Sequence, residues 1–168
     1  VDGTRKVIDA CRANGVSKLV YTSSPSVVFG REELCGVDES QPYPKRFHCA
    51  YAESKAEAER LVLTADGPTL ATVALRPHLI WGPGDPHLIP RVLDRARKGK
   101  LVQFGDGTNL VDITYVDNAA HGHVLAAGAL ASQSACAGKA YFISQGEPVA
   151  LWSWLGDLLI AAKLPQIK

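Results

Sequence analysis

The sequence predicts an α/β fold in which helices cover both faces of a parallel β-sheet. Three observations indicate this class. Strand-like and helix-like patterns alternate along most of the 168 residues. The runs within residues 18–24 and 70–75 are short and apolar without alternation, which is typical of strands buried on both faces. Segments rich in hydroxyl groups, Gly and Pro follow these runs, at the sheet edge where such folds hold their ligands.

The first predicted elements are a helix and a buried strand. Residues 4–14 show helical spacing of apolar side chains, and Gly15 gives a stop signal. Residues 18–24 begin apolar and end in hydroxyl side chains, which predicts a strand that opens into a loop. Residues 25–48 are rich in Pro, Gly and charge, so we expect them to form mostly loop.

The middle of the chain predicts a helix, a strand and a second helix. Residues 50–64 contain Ala, Glu, Lys, Arg and Leu without a helix breaker. Asp66-Gly67-Pro68 ends this helix, and residues 70–75 form the second buried strand. A turn-dense loop precedes the next helix, which covers residues 88–97.

The last third predicts three strands and two helices without an internal repeat. Asp117 is expected at or near the N-cap of the first of these helices. In chain order the elements are strands at 101–104 and 110–115, a helix at 118–130, a strand at 140–144 and a helix at 149–164.

Composition and charge exclude several classes of function. The chain is 46% hydrophobic and 21% charged, and its 18 Lys and Arg against 17 Asp and Glu leave a net charge of +1. No strong field attracts nucleic acid, so we expect no nucleic-acid partner. No apolar run reaches the roughly 18–20 residues of a membrane span.

The four Cys form no C-x-x-C pair. We therefore expect a reduced, cytoplasmic protein. Membrane association of a longer protein stays an alternative.

A tyrosine and a lysine form the strongest candidate for catalytic chemistry. Tyr51 and Lys55 lie four residues apart in the predicted helix 50–64 and therefore share a face. An ammonium group beside a phenol favours the phenolate form, which suits proton transfer near neutral pH. The spacing alone also fits an incidental Tyr on a half-exposed helix. Ser23 and Ser24 follow the first strand, where their hydroxyls can bind a substrate oxygen or simply satisfy loop backbone groups.

Other candidate groups receive less support. His121 and His123 are two residues apart on a predicted helix and do not share a face, so we expect no metal site. His48 and Cys49 precede Tyr51, but nothing indicates an oxyanion hole for a Cys–His nucleophile. His78 follows Pro in a polar loop, where a structural role is the more common one.

Several ordered motifs carry a family resemblance. The chain resembles the extended short-chain dehydrogenase/reductase superfamily, and within it the 3β-hydroxysteroid dehydrogenase family, including the decarboxylating sterol 4-carboxylate 3-dehydrogenase type. The superfamily motifs are Thr22-Ser23-Ser24, Val28-Phe29-Gly30, Tyr51-Ala52-Glu53-Ser54-Lys55, Leu75-Arg76-Pro77 and Ile80-Trp81-Gly82-Pro83-Gly84. The branch is indicated by residues 74–86, 105–112, 115–118, 122–123 and 141–144.

The resemblance implies an NAD(P)-dependent oxidoreductase that transfers hydride at the 3β-hydroxy or 3-keto group of a steroid or sterol-like small molecule. Tyr51 would be the catalytic acid/base, and Lys55 would assist it and bind the nicotinamide ribose of NAD or NADP. Ser24 would orient the substrate oxygen. Pro77 and the backbone around Leu79 would line the nicotinamide pocket.

One part of the family pattern is missing from this sequence. No G-x-x-G-x-x-G or G-x-G-x-x-G follows a first strand, and the pairs Gly82/Gly84 and Gly105/Gly107 lack a third glycine. We therefore expect residues 1–168 to be a single incomplete α/β domain. It would comprise the C-terminal portion of a doubly wound Rossmann-type sheet and part of the small substrate domain, without the Gly-rich half and the C-terminal tail. Such a chain is expected to be inactive alone, and by analogy the full-length protein would form a homodimer.

Two other functions fit the same residues. A nucleotide-sugar epimerase or dehydratase of the same superfamily would use the same Ser, Tyr and Lys, so these residues do not decide between the two enzymes. A non-catalytic NAD(P)-binding or scaffold protein is the alternative from another class. The intact set of Ser24, Tyr51 and Lys55 argues mildly against it.

Overall fold

The computed structural model describes residues 1–30 and 34–167. The chain forms two compact units. The first, called the sheet unit below, comprises Val1–His78 and Ala119–Ile143, and the second, called the small unit, comprises Leu79–Asn118 and Ser144–Lys168. Within the described ranges, no helix combines the length and the apolarity that a membrane span requires.

The two units contain helices and strands in alternation. The helices are α1 (Asp2–Ala13), α2 (Ala50–Thr64), α3 (Leu88–Arg97), α4 (Val116–Ala129) and α5 (Leu151–Ala161). The strands are β1 (Lys18–Thr22), β2 (Ala71–Pro77), β3 (Leu79–Trp81), β4 (Leu110–Val111), β5 (Ile113–Tyr115), β6 (Lys139–Ile143) and β7 (Val149–Ala150).

The sheet unit is built on a parallel sheet with the strand order β1-β2-β6. Every residue of β2 is buried, because helices pack on both of its faces. Val73 and Leu75 on one face join a core that includes Leu130. On the other face, Thr72 Oγ1 donates a hydrogen bond to the Val62 carbonyl of α2 at 2.8 Å. The predicted fold class, a parallel sheet covered on both sides, is confirmed.

A buried turn fixes the loop after β1 against α2. Pro25–Val28 form one turn of 3-10 helix, and Val27 and Val28 are almost completely buried in a cluster with Ala56 of α2. The small Ala side chain allows this close approach. The segment that follows β1 is therefore packed on the helix that carries Tyr51 and Lys55.

The small unit has its own core between α3 and α5. Val92 and Ala96 of α3 pack with Leu155 and Leu159 of α5, and Leu101 joins them. Strand β3 pairs with β5 in parallel, and β4 pairs with β7 in the antiparallel direction. The ring of Trp81 makes edge contacts with Tyr115 and Trp154, with ring centroids 5.3 Å apart in both pairs.

Several predicted elements were wrong in the small unit. Residues 101–104 form no strand, because Leu101 is drawn into the core of α3 and α5 while Val102 and Phe104 remain exposed. Residues 110–115 form the two strands β4 and β5, and β7 precedes α5 where a continuous helix was predicted. Strand β3 was not predicted. Asp117 lies in the first turn of α4, near the N-cap as predicted, and its charge suits that helix end.

Gly82 is expected to be essential for the stability of the small unit. Its φ is +139°, and a Cβ at this position would lie 2.8 Å from Val116 Cγ1. We expect Gly82→Ala to lower the free energy of unfolding by about 1–3 kcal/mol, through strain and overpacking. Gly84→Ala is the matched control, because Gly84 has a φ of +81° but open space around its Cβ position. Urea denaturation of both variants checks this, and equal losses would show that the close contact has no effect.

Candidate active site

The side chain of Lys55 lies at the carboxyl end of β1. Its Nζ donates a hydrogen bond to the Thr22 main-chain carbonyl at 2.6 Å and lies 4.5 Å from the centroid of the Tyr21 ring. Burial lowers the pKa of Lys55 below its ordinary value, and the negative charge of Glu59 opposes this effect. The helix α2 thus places a partly desolvated ammonium group beside the strand end from which Ser24 follows.

Tyr51 lies in the first turn of α2, one turn before Lys55. It is 59% exposed, so its hydroxyl is accessible to a small molecule. Tyr21 is the other tyrosine in this region, and it is chemically different. Burial, followed by the charges of Glu59 and Tyr51, raises the pKa of Tyr21 to about 12. The Tyr21 hydroxyl is therefore a weaker acid than an ordinary phenol, and the exposed Tyr51 is the candidate acid/base of this pair.

Ser24 caps the short turn that follows β1. Its Oγ accepts a hydrogen bond from Ser26 N at 3.2 Å and lies 2.9 Å from Ser26 Oγ. Ser24 therefore performs the backbone-satisfying role that the sequence left open as an alternative. Its own hydroxyl proton can still be donated to Ser26 Oγ or to a substrate oxygen. Ser23, by contrast, is buried, and its main-chain N–H extends the sheet by bonding Leu75 O at 2.6 Å.

The two predicted nicotinamide-pocket residues lie in different units. Pro77 is the last residue of β2 and is opposite Ile143 in the parallel register. Since Thr22 is opposite Leu75 in the same sheet, continuation of that register brings Ser24 level with Pro77. Leu79 begins β3 of the small unit and is exposed. The sheet unit thus contains Ser24, Tyr51, Lys55 and Pro77 but not Leu79.

A buried ionic network beneath Lys55 was not predicted. Glu59, one turn after Lys55 on α2, is fully buried. It accepts hydrogen bonds from Arg76 Nη2 at 2.7 Å, Arg76 Nε at 3.1 Å and Tyr43 Oη at 2.6 Å. Burial acts to raise the pKa of Glu59, but the hydrogen bonds from Arg76 and Tyr43 and the charge of Arg76 outweigh it and hold this pKa below its ordinary value. The available signal was Arg76, a charge inside a buried strand, which requires a partner.

His123 of α4 was also missed as a part of this region. Its Nε2 lies 2.7 Å from Thr22 Oγ1, and its Nδ1 lies 2.7 Å from the Ala119 carbonyl oxygen. The spacing of His121 and His123 predicts no metal site, and the described residues contain no cluster of three or more metal-ligating side chains. The local sequence offered no signal for the contact with Thr22, which is 101 residues away.

The fold and these side chains define an α/β protein of the short-chain dehydrogenase/reductase type. A parallel sheet is covered on both faces, Ser24 follows β1, and Lys55 contacts the last residue of β1, with Tyr51 one turn before it on α2. The family model described as "3-beta hydroxysteroid dehydrogenase/isomerase family" matches residues 1–165. The chain belongs to this family, and the resemblance predicted from its motifs is confirmed.

Comparisons with individual proteins agree with this assignment. The chain is 54% identical over 170 residues to the 2-alkyl-3-oxoalkanoate reductase of Stenotrophomonas maltophilia (strain K279a), covering 99% of the chain and 51% of that protein. It is 46% identical over 160 residues to the decarboxylating sterol-4-alpha-carboxylate 3-dehydrogenase of Mus musculus, covering 94% and 44%. The chain thus spans about half the length of the curated relatives it matches.

A solved structure supports the same fold. The UDP-glucose 4-epimerase of Thermus thermophilus, determined in complex with NAD, matches with a TM-score of 0.77 at 28% identity. The match covers 99% of this chain and 55% of the epimerase. The prediction that the chain forms part of a Rossmann-type sheet is confirmed by this similarity.

Proposed function

We propose that the chain is the catalytic half of a longer NAD(P)-dependent dehydrogenase, called the parent protein below. Tyr51 is its acid/base, Lys55 supplies a positive charge beside it at the end of β1, and Ser24 binds the substrate oxygen. The contact between Lys55 Nζ and the Thr22 carbonyl, 2.6 Å long, supports this most directly. It holds a cation where a parallel α/β sheet presents its ligand.

The residues of the sheet unit fit the nicotinamide end of the cofactor. Lys55 offers ammonium donors and Tyr51 a hydroxyl at the sheet edge, which suit ribose hydroxyls. Pro77 has no backbone N–H and presents apolar ring carbons, which suit a flat ring. The sequence contains no Gly-rich turn for the pyrophosphate, so we assign that part of the cofactor site to the other half of the parent protein.

The chain's own residues then perform the proton transfers. When bound, the cofactor exchanges a hydride with the substrate carbon. In the oxidative direction Tyr51 Oη takes the proton of the substrate hydroxyl, and in the reductive direction it returns a proton to the carbonyl oxygen. Ser24 Oγ donates a hydrogen bond to the same oxygen and holds it near Tyr51. Lys55 lies one helical turn after Tyr51 on α2 and places its positive charge at the same end of β1.

The substrates named for two relatives share one chemistry. A 2-alkyl-3-oxoalkanoate carries a carbonyl at the carbon next to the one that bears its carboxylate. A sterol 4-carboxylate carries its carboxylate at the carbon next to C3, where the dehydrogenase acts. We therefore propose an α-substituted 3-hydroxy or 3-oxo carboxylate as the substrate class. The 54% identity favours an acyclic skeleton, and the 46% identity supports the sterol-like skeleton as the second candidate.

An assay of cofactor reduction by the purified parent protein tests this proposal. The substrates are a 2-alkyl-3-hydroxyalkanoate, the same secondary alcohol without its carboxylate, a 3β-hydroxysterol-4-carboxylate and UDP-glucose. We expect kcat/KM for the carboxylated alcohols to exceed that of the matched simple alcohol by at least about tenfold, because a site built for a polar group discriminates against its absence. Equal rates for the two acyclic alcohols would contradict the substrate class. Epimerisation leaves no net cofactor reduction, so the sugar nucleotide is also analysed by chromatography. Conversion of UDP-glucose without cofactor reduction would indicate the epimerase, and no turnover of any substrate with retained cofactor binding would indicate the scaffold protein.

A further inference from the structure

A histidine of α4 contacts the strand end that holds Lys55. His123 Nε2 lies 2.7 Å from Thr22 Oγ1, and the carbonyl oxygen of the same Thr22 accepts the hydrogen bond from Lys55 Nζ at 2.6 Å. Thr22 thus has one neighbour on its side chain and another on its main chain. Three segments that are far apart in the sequence meet at this one residue.

The direction of these hydrogen bonds follows from the groups involved. A carbonyl oxygen only accepts, so His123 Nδ1, which lies 2.7 Å from Ala119 O, carries a proton. In the neutral ring Nε2 is then an acceptor, and Thr22 Oγ1 donates to it. The imidazole is therefore held by its own helix on one side and fixes the Thr22 hydroxyl on the other.

The position of Thr22 in the sheet explains why this contact matters. Thr22 is the last residue of β1, directly before Ser23 and Ser24. Its side-chain hydroxyl contacts His123, and its carbonyl is the acceptor for Lys55 Nζ. A residue at the end of a strand is held less firmly by the backbone hydrogen bonds of the sheet than one inside the strand. The bond to His123 supplies an additional restraint one residue before Ser23 and two before Ser24.

We propose that His123 is a positioning residue for Lys55 that acts through Thr22. By restraining Thr22, it keeps the carbonyl that orients the ammonium group at a constant place relative to α2. His123 makes no contact with substrate or cofactor in this role. The proposal rests on the proposed function for its kinetic consequence, but the contact itself has consequences that do not require activity.

Kinetics of the parent protein test the proposal with matched variants. At a pH above about 7.5, where ordinary imidazoles are neutral, we expect His123→Ala to lower kcat by about tenfold and to change KM for the alcohol by less than about twofold, as misplacement of a catalytic group does. His123→Gln should restore most of the rate, because its Oε1 can accept from Thr22. Thr22→Val should resemble His123→Ala, and Thr22→Ser should resemble the wild type. His121→Ala is the control on the same helix.

Two outcomes of these kinetics would overturn the proposal. One is an equal rate for the His123→Ala and His121→Ala variants. The other concerns the double variant Thr22→Val with His123→Ala. If its fold-decrease in kcat equals the product of the two single decreases, the two residues act independently, whereas residues that act through one contact are not additive. Unchanged thermal midpoints in all variants exclude general unfolding as the cause.

A labelling experiment separates failure of this proposal from failure of the proposed function. The rate at which acetic anhydride modifies Lys55 in the parent protein is measured by mass spectrometry, with the exposed Lys6 of α1 as the internal reference. We expect His123→Ala to raise the relative rate at Lys55 severalfold and His123→Gln to leave it unchanged. If the wild type shows no turnover but this pattern appears, the proposed function fails and the positioning contact stands. If Lys55 reacts equally in both variants, the positioning role is wrong whatever the activity.

Discussion

Replacing Tyr51 with Phe in the parent protein is expected to lower kcat by about 10³-fold, because positioned acid–base groups contribute roughly 10²–10⁴-fold. The change removes one hydroxyl from a side chain that is 59% exposed, so stability should change by no more than about 0.5 kcal/mol. Binding of NAD(H) should persist, since Lys55 and Pro77 remain. Turnover and cofactor titration on the same preparation measure the two effects separately.

Tyr21→Phe is the matched control for this prediction. Tyr21 is close to Lys55 and its ring keeps the same contact with the ammonium after the change. Because its pKa is about 12, its hydroxyl is a poor acid/base at neutral pH, and we expect its removal to leave kcat largely unchanged. A Tyr51→Phe variant that keeps more than about a tenth of wild-type kcat would contradict the acid/base assignment.

The sequence predicts the sheet unit well because local patterns determine its elements. Helix α2 begins and ends as predicted at Ala50 and Thr64, since the segment contains good helix formers and stops at a Gly-Pro pair. Strand β2 is apolar throughout except for Thr72 and Arg76, which is typical of a strand that helices cover on both faces. Once α2 and β1 are predicted, the positions of the site residues can be predicted too. Tyr51 and Lys55 share a face of α2, and the Ser residues follow β1.

The small unit was predicted less well because its strands are only two or three residues long. At this length the hydrophobic pattern does not separate a strand from an extended loop. Residues 101–104 contain three apolar side chains and were predicted as a strand, yet only Leu101 packs in a core. Strand β3 lies within a segment that Gly and Pro mark as a turn.

The contacts around Lys55 could not be read from local patterns either. Thr22 and His123 are 101 residues apart, and Arg76 is 17 residues from Glu59. Without the topology, a charged residue on a predicted helix has no identifiable partner. The sequence therefore does not distinguish Glu59 from the solvent-exposed charges of the same helix. Only the parallel register of β1 and β2 beneath α2 brings these groups together.

The buried pair of Glu59 and Arg76 is expected to have the largest effect on stability. Their side chains are almost fully inaccessible and 2.7 Å apart. Removing one partner leaves an uncompensated charge in the core, so Glu59→Leu and Arg76→Met should each lower the free energy of unfolding by about 3–5 kcal/mol. Asp94→Asn is the control, because Asp94 and Lys98 form an exposed pair of similar length, 2.8 Å, whose loss should cost at most about 1 kcal/mol. Urea denaturation of the parent protein at neutral pH measures all three.

The double variant Glu59→Leu with Arg76→Met distinguishes an ionic effect from loss of packing. It leaves no buried charge, so we expect its loss of stability to be smaller than either single loss.

The pH dependence provides a second criterion. Because the pKa of Glu59 lies below its ordinary value in the folded chain, the pair contributes stability above about pH 4.3, and this contribution disappears as the pH falls through the folded pKa. The wild type should therefore lose more stability on acidification than the double variant. Parallel curves, or single losses that simply add in the double variant, would show that Glu59 and Arg76 stabilise the sheet unit by packing and not as a charge pair.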